Sequence, residues 1–244
     1  MTVAVSMLTA VVGVLIGMVG VGGVLLPPGL VALGDLSANE ATATSTLAFV
    51  FTGVVGTAIY ARRGIVPWDM LARLAVGAVP AAFLGAHVNA TLPAPLVLLA
   101  LAALTLFVGV QQLRPGVLRE TRDRLGTVAL VAVGAFVGFG SALTGTGGPV
   151  LLVPVLLTLG IAPLRAVALS QAVQLPVVVA GSLGYLQTGL INVRLGMLLG
   201  CLAALGVVVG AMVATRIDAN GLRRIVAVAC IVAGVSIAVR VVGS

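Results

Sequence analysis

The sequence predicts an all-α polytopic membrane protein made of two homologous repeats in inverted orientation. Each repeat is a glycine-broken helical hairpin followed by three transmembrane helices. Three observations lead there: the apolar composition, an internal repeat at an offset near 125 residues, and arginines gathered on one side. Sixty-one per cent of the 244 residues are hydrophobic and eight per cent charged, with a mean hydropathy of +1.28. Such a chain lacks the polar surface that a soluble domain needs. Apolar stretches near 20 residues recur from end to end, each long enough to cross about 30 Å of hydrocarbon. The first of them has no basic leader and runs straight into the repeated motif, so a cleaved signal peptide is not expected.

The repeat is read residue by residue. The segment Gly13–Gly23 returns as Gly138–Gly148, with Gly13, Gly20, Gly22 and Gly23 matched by Gly138, Gly145, Gly147 and Gly148 and the second copy reading Thr144-Gly145-Thr146-Gly147-Gly148. The same offset pairs Ala41, Ala43 and Ser45 with Ala166, Ala168 and Ser170, and Gly56, Tyr60 and Gly64 with Gly181, Tyr185 and Gly189. A duplicated apolar unit with an interrupted segment in each copy is the pattern of a secondary transporter, and the interruptions point to its binding site.

The elements follow in order. A helix over 2–19 breaks at 20–23 and a short helix covers 24–34; full helices span 39–61, 67–89 and 94–113. The first membrane repeat is thus 1–113. A polar connection, 114–125, separates it from the second repeat, 126–244. There the order recurs: 126–144, a break at 145–148, a short helix over 149–160, then 163–187, 193–215 and 220–242. Pro149, directly after Gly147-Gly148, suits the first position of a helix. Each short helix has about 12 residues, or about 18 Å, too little to span but enough to return from the membrane centre. Gly13/Gly17, Gly134/Gly138, Gly196/Gly200 and Gly206/Gly210 are small-xxx-small pairs suited to close helix packing.

Arginine placement decides between two topologies, since lysine is absent. If each broken segment is a single crossing, the repeats lie parallel and the arginines divide nine against four. If each is a hairpin that enters and returns, the second repeat is inverted and they divide eleven against two, with only Arg194 and Arg240 opposite. The second division fits the positive-inside rule better. It places the 114–125 connection in the cytoplasm and both termini outside. The net charge of +7 is therefore read as orientation in the membrane, and no nucleic-acid partner is expected.

The chemistry lies in the breaks. Gly20, Gly22 and Gly23 in one copy, and Gly145, Gly147 and Gly148 in the other, allow a sharp turn and leave amide N–H groups uncovered. Each following short helix directs its N-terminus, with free N–H groups and partial positive charge, back at the break. Two such ends converging at the midplane make an anion site that requires no buried cation. Thr144 and Thr146 add hydroxyl donors in the second copy, where the first has Val19 and Val21. The helix after each hairpin carries Ser45 and Thr46, or Ser170, Gln171 and Gln174, which could complete the coordination; the competing reading is that its small residues only pack.

The remaining polar residues carry less. All six carboxylates lie at segment ends or in loops. Arg73 follows Asp69 by one helical turn and reads as a snorkelling ion pair. Trp68, Tyr60 and Tyr185 read as interface anchors, the tyrosines with room to pack on the hairpins, and His87 as interfacial. Cys201 and Cys230 sit singly in apolar segments and read as buried thiols. No nucleophile–base pair, metal-ligand cluster or phosphate loop appears, so no catalytic residue, metal or cofactor is expected.

With these residues in view, the chain resembles the TauE/SafE family of membrane permeases. The resemblance rests on the break Gly17-Met-Val-Gly20-Val-Gly22-Gly23, the second break Gly145-Thr-Gly147-Gly148-Pro149, and the Ala-x-Ala-x-Ser helix that follows both. It covers nearly the whole chain, with about eight spans. It implies a secondary transporter of a small anion such as sulfite, a sulfonate or a related carboxylate, acting in the cytoplasmic membrane. The first break departs in lacking polar residues, which moves substrate contact toward the second repeat. A passive anion channel on the same repeats, or a non-transporting scaffold, are the alternatives. The expected partners are the small anion, membrane lipid and, as a homodimer, a second copy of the chain.

Overall fold

A computed structural model describes residues 3–20, 22–113, 125–213 and 219–242. The connection expected over 114–125 lies, except for Leu125, outside the described residues, as does Val21 of the first break. Among these residues ten α-helices follow one another: α1 (Val3–Val19), α2 (Leu26–Leu33), α3 (Ala38–Arg62), α4 (Trp68–Thr91), α5 (Ala94–Leu113), α6 (Thr127–Thr144), α7 (Pro149–Thr158), α8 (Pro163–Thr188), α9 (Val193–Val213) and α10 (Ala219–Val242). A 3₁₀ turn, Gly22–Leu25, leads into α2. The described residues contain no strand. Six helices, α3, α4, α5, α6, α8 and α9, are long and apolar enough to cross a bilayer, against the eight spans expected; the described apolar parts of α1 and α10 are shorter.

Local chemistry sets the boundaries. Ser37 caps α3, its hydroxyl accepting from the Glu40 amide while the Glu40 carboxylate accepts from the Ser37 amide, so two otherwise orphaned donors are satisfied. Pro149 opens α7. The left-handed Gly145 ends α6, its amide bonding the Ser141 carbonyl.

Glycine faces dictate which helices touch. A side chain at Gly13 would strike the Ala203 backbone, and one at Gly17 the Val207 backbone, so α1 and α9 run parallel in close contact. Gly134 and Gly138 of α6 lie in the same way on Leu74 and Ala78 of α4. Gly196 and Gly200 receive Leu47 and Phe51 of α3. With no hydrophobic force between helices in lipid, this backbone-level approach and its dispersion energy hold the bundle together.

Equivalent helices meet differently. Gly53 and Gly56 of α3 face Leu175 and Gln171 of α8, while Gly181 faces Thr46, so residue numbers rise along one helix as they fall along the other. Gly109 of α5 faces Ala227 and Ile231, and Gly234 of α10 faces Ala102 and Leu106, again antiparallel. Helices α3 and α8 are the most enclosed spans, 56% and 72% buried where α4 is 33%. They form the central crossing on which the rest is hung.

Two single residues depart from expectation. Tyr185 is fully buried and its hydroxyl donates to the Ala142 carbonyl at 2.7 Å, because α8 is central and its end is covered by α4 and α6. It braces the second hairpin and is no interface anchor. Cys201 is exposed, on the outer side of α9, whereas Cys230 is buried. Trp68 is exposed and Arg73 pairs with Asp69 at 3.6 Å, both as read from the sequence.

Candidate functional site

Both broken segments double back. Gly22 sits against Val12, Leu15 and Ile16, and Gly29 against Leu8, so α2 retraces α1. In the second unit Gly148 lies near Ser141 and Leu151 reaches Gly140, so α7 retraces α6. The turns rest on backbone that only glycine adopts freely: φ is +79° at Gly20 and +81° at Gly147. Helix α1 closes on a hydrogen bond from the Gly20 amide to the Ile16 carbonyl, and the Thr146 amide donates to the Ser141 carbonyl.

The two tips meet. A Cβ placed on Gly23 would lie 3.2 Å from both the Thr146 carbonyl oxygen and the Phe49 ring. Each tip also rests on the central helix of the other unit: Gly20 lies beside Gln171 and Val167 of α8, and Gly145 packs on the Thr42 backbone of α3. Between the tips is a cavity of about 10 Å³ bounded by Gly20, Gly23, Phe49, Thr146, Val150 and Gln174. That is room for about one water molecule, and no charged side chain lines it. Any positive potential comes from backbone dipoles: no side chain caps the N-terminus of α7 at Gly148, and since Pro149 has no N–H and the Leu151 and Leu152 amides bond the Gly148 carbonyl, the donor capacity of this helix end falls on the Val150 amide.

The hydroxyls are mostly engaged. Thr144 donates to the Gly140 carbonyl at 2.7 Å, which leaves Thr146 to donate across the 3.1 Å Thr144–Thr146 contact. Thr46 and Ser170 turn back onto the Thr42 and Ala166 carbonyls of their own helices. Gln174 is buried and donates to Thr52 Oγ1 at 2.8 Å and to the Phe49 carbonyl at 3.2 Å. Gln171 is 3% exposed, yet its Oε1, packed onto Gly56, has no hydrogen-bond partner, and neither does Ser45 Oγ.

Of the residues named from sequence, Gly20, Gly23, Thr146 and Gln174 line the cavity. Gly147 lies against Phe49 and Gln174, and Thr144 bonds Thr146. Gln171 stands beside Gly20, and Gly148 near Ser141. Gly22, Gly145, Ser45, Thr46 and Ser170 are buried around this point without lining it. Phe49 and Thr52 were not foreseen. Phe49 is the repeat equivalent of Gln174 at the 125 offset, which is the signal that could have found it. Asn89, fully buried, donates to the Leu143 carbonyl at 2.7 Å and braces the end of α6; Asn39 holds it in turn through the Asn89 and Leu92 carbonyls. Among the described residues no three His, Cys, Asp or Glu side chains gather as a metal site would require.

Among the described residues, six helices long and apolar enough to span, with two glycine breaks meeting in the buried interior, mark an integral membrane protein. The family described as sulfite exporter TauE/SafE matches residues 5–237. The chain belongs to that family of membrane transporters. Comparison with curated proteins and with solved structures gives no match.

Proposed function

We propose that the protein is an alternating-access carrier of a small oxyanion, sulfite or an organic sulfonate or carboxylate, across the cytoplasmic membrane. The anion binds where the two glycine breaks meet. The observation that carries this reading is the contact of Gly23 with Thr146 around a space bounded by Gly20 and Gln174. Amide donors and an uncapped helix end face an otherwise uncharged enclosure, an arrangement suited to an anion. The water-sized cavity is read as an occluded state between substrate-bound forms, and the sealed contact of the tips favours a carrier over a standing pore.

The units 1–113 and 126–244 are read as inverted repeats with the 114–125 connection in the cytoplasm. The antiparallel packing of the equivalent pairs α3/α8 and α5/α10 supports this, as does the arginine count. Each hairpin tip, seated on the opposing central helix, is then an element that rocks to open one side at a time. Substrate contact falls on Thr146, Gln174 and the amides of Gly147 and Gly148. The neighbouring Gly20, Gly22, Gly23, Ser45, Thr46, Thr144, Gly145, Ser170 and Gln171 shape the enclosure.

The test is flux in proteoliposomes with a panel of sulfite, sulfonates and carboxylates, alongside substrate-dependent thermal stabilisation. Thr146→Val should retain the fold and lose most transport of the stabilising anion. Full transport by Thr146→Val and by Gln174→Leu, each with unchanged anion affinity, would overturn the site.

A further inference from the structure

A second, larger concavity lies away from the tips. It is a groove of about 750 Å³ between α10 and the outer side of the first hairpin. Leu8 of α1, Pro28 and Ala32 of α2 and Leu98 of α5 form one wall; Val228 and Val232 of α10 form the other. Among the described residues the lining is almost wholly apolar, and Arg224 is its single charged side chain. Val228 and Val232 are 57% and 62% exposed, so the groove opens sideways into the bilayer. Its floor follows α10 from Arg224 to Ile237, about 20 Å at 1.5 Å per residue. One leaflet of hydrocarbon is about 15 Å deep.

We propose that this groove holds one anionic phospholipid, its phosphate on Arg224 and an acyl chain lying along α10 against the back of α2. Three features select this occupant. The cation stands at one end of the groove, five residues into α10, where a long side chain reaches the headgroup layer. The rest of the lining offers an acyl chain dispersion contact, its one hydroxyl among the described residues, that of Ser236, already donating to the Ala233 carbonyl at 2.8 Å. A second copy of the chain seated here would have to bury the guanidinium in an apolar seam, which membrane interfaces avoid without a paired anion. The small-anion substrate has no use for an apolar trench of this length. The inference is independent of the transport site, because it concerns the opposite face of the hairpin.

The experiment uses the full chain, delipidated in detergent and titrated with dioleoyl phosphatidylglycerol or dioleoyl phosphatidylcholine, with adducts counted by native mass spectrometry. One phosphatidylglycerol per chain should be retained, at several-fold higher affinity than phosphatidylcholine. Arg224→Gln, a change at an exposed position, should weaken phosphatidylglycerol about fivefold and erase its preference. Ala229→Trp, which fills the groove, should remove both adducts. Equal affinities for the two lipids, or a preference that survives Arg224→Gln, overturns the proposal. So does a dimer that dissociates in Ala229→Trp, which would give the groove to a second copy. Should Ala229→Trp fail to fold, the Arg224→Gln titration alone decides.

Discussion

Two glutamines one turn apart on α8 should respond in opposite ways to the same substitution. Gln174 donates two buried hydrogen bonds, to Thr52 Oγ1 and the Phe49 carbonyl. Gln174→Leu keeps nearly the same volume and deletes both. A buried hydrogen bond contributes about 0.5–1.5 kcal/mol net in soluble proteins, and about 0.6 kcal/mol on average between membrane helices. Thr52 keeps its own bond to the Phe49 carbonyl, so its hydroxyl hydrogen is not orphaned. The expected loss is therefore about 1–2 kcal/mol. Gln171 differs because its buried Oε1 is unsatisfied. An orphaned acceptor costs about 1–3 kcal/mol of desolvation, so Gln171→Leu should leave stability unchanged or raise it. The assay is reversible unfolding in detergent, with a double-mutant cycle between Gln174→Leu and Thr52→Val to isolate the cross-helix bond. Equal destabilisation by Gln171→Leu and Gln174→Leu would falsify the reasoning. So would a Thr52–Gln174 coupling near zero.

Gly138→Ala should cost about 1–3 kcal/mol by overpacking, since its Cβ would strike the Ala78 backbone. Gly126→Ala, with open space around it and φ of −62° but at the N-cap of α6, should stay within about 0.5 kcal/mol of neutral, its entropic gain offset by the poorer cap; thermal melts of the pair check this. Tyr185→Phe should lower stability by about 1 kcal/mol through loss of the bond to Ala142, whereas an interfacial tyrosine would give almost no change in the same melt. In a cysteine-free background, Trp68→Cys and Leu164→Cys should react with an impermeant maleimide from one side of the membrane and Val193→Cys from the other. All three positions are exposed at helix starts, and labelling of Trp68→Cys and Leu164→Cys from opposite sides would refute inverted repeats.

The fold was largely legible because lipid leaves few options. Every backbone donor must be satisfied within a segment, so several helix ends fall where Gly and Pro put them: α6 stops at Gly145, α7 starts at Pro149 and α8 stops at the left-handed Gly189. Packing partners were half legible. Gly13/Gly17 and Gly134/Gly138 announced close faces, but which helix would meet them depends on folding across the repeats. Tyr185 illustrates the limit. Its place near a helix end resembles that of Tyr60, yet α8 is the buried centre of the bundle and that end is covered. Around the tips, glycine duplication located the breaks, while the roles of the hydroxyls escaped. Whether Thr46 or Ser170 faces a cavity or its own carbonyl is a rotamer choice that no spacing rule encodes. Phe49 escaped because an aromatic residue in an apolar helix carries no polar signal, although its position at the 125 offset from Gln174 did.

The parallel seam between α1 and α9 has a consequence for how the protein is made. The glycine face at residues 13 and 17 is completed by residues 203 and 207, which leave the ribosome about 190 residues later. At about 5–20 residues per second that is roughly 10–40 s. Through that interval the first hairpin sits in the bilayer with its backbone break uncovered and its seam open. The N-terminal half is thus expected to be short-lived until its partner helix arrives. Expressed alone, residues 1–113 should be cleared rapidly by membrane proteolysis, and co-expression of the second half should lengthen its half-life in a pulse–chase experiment.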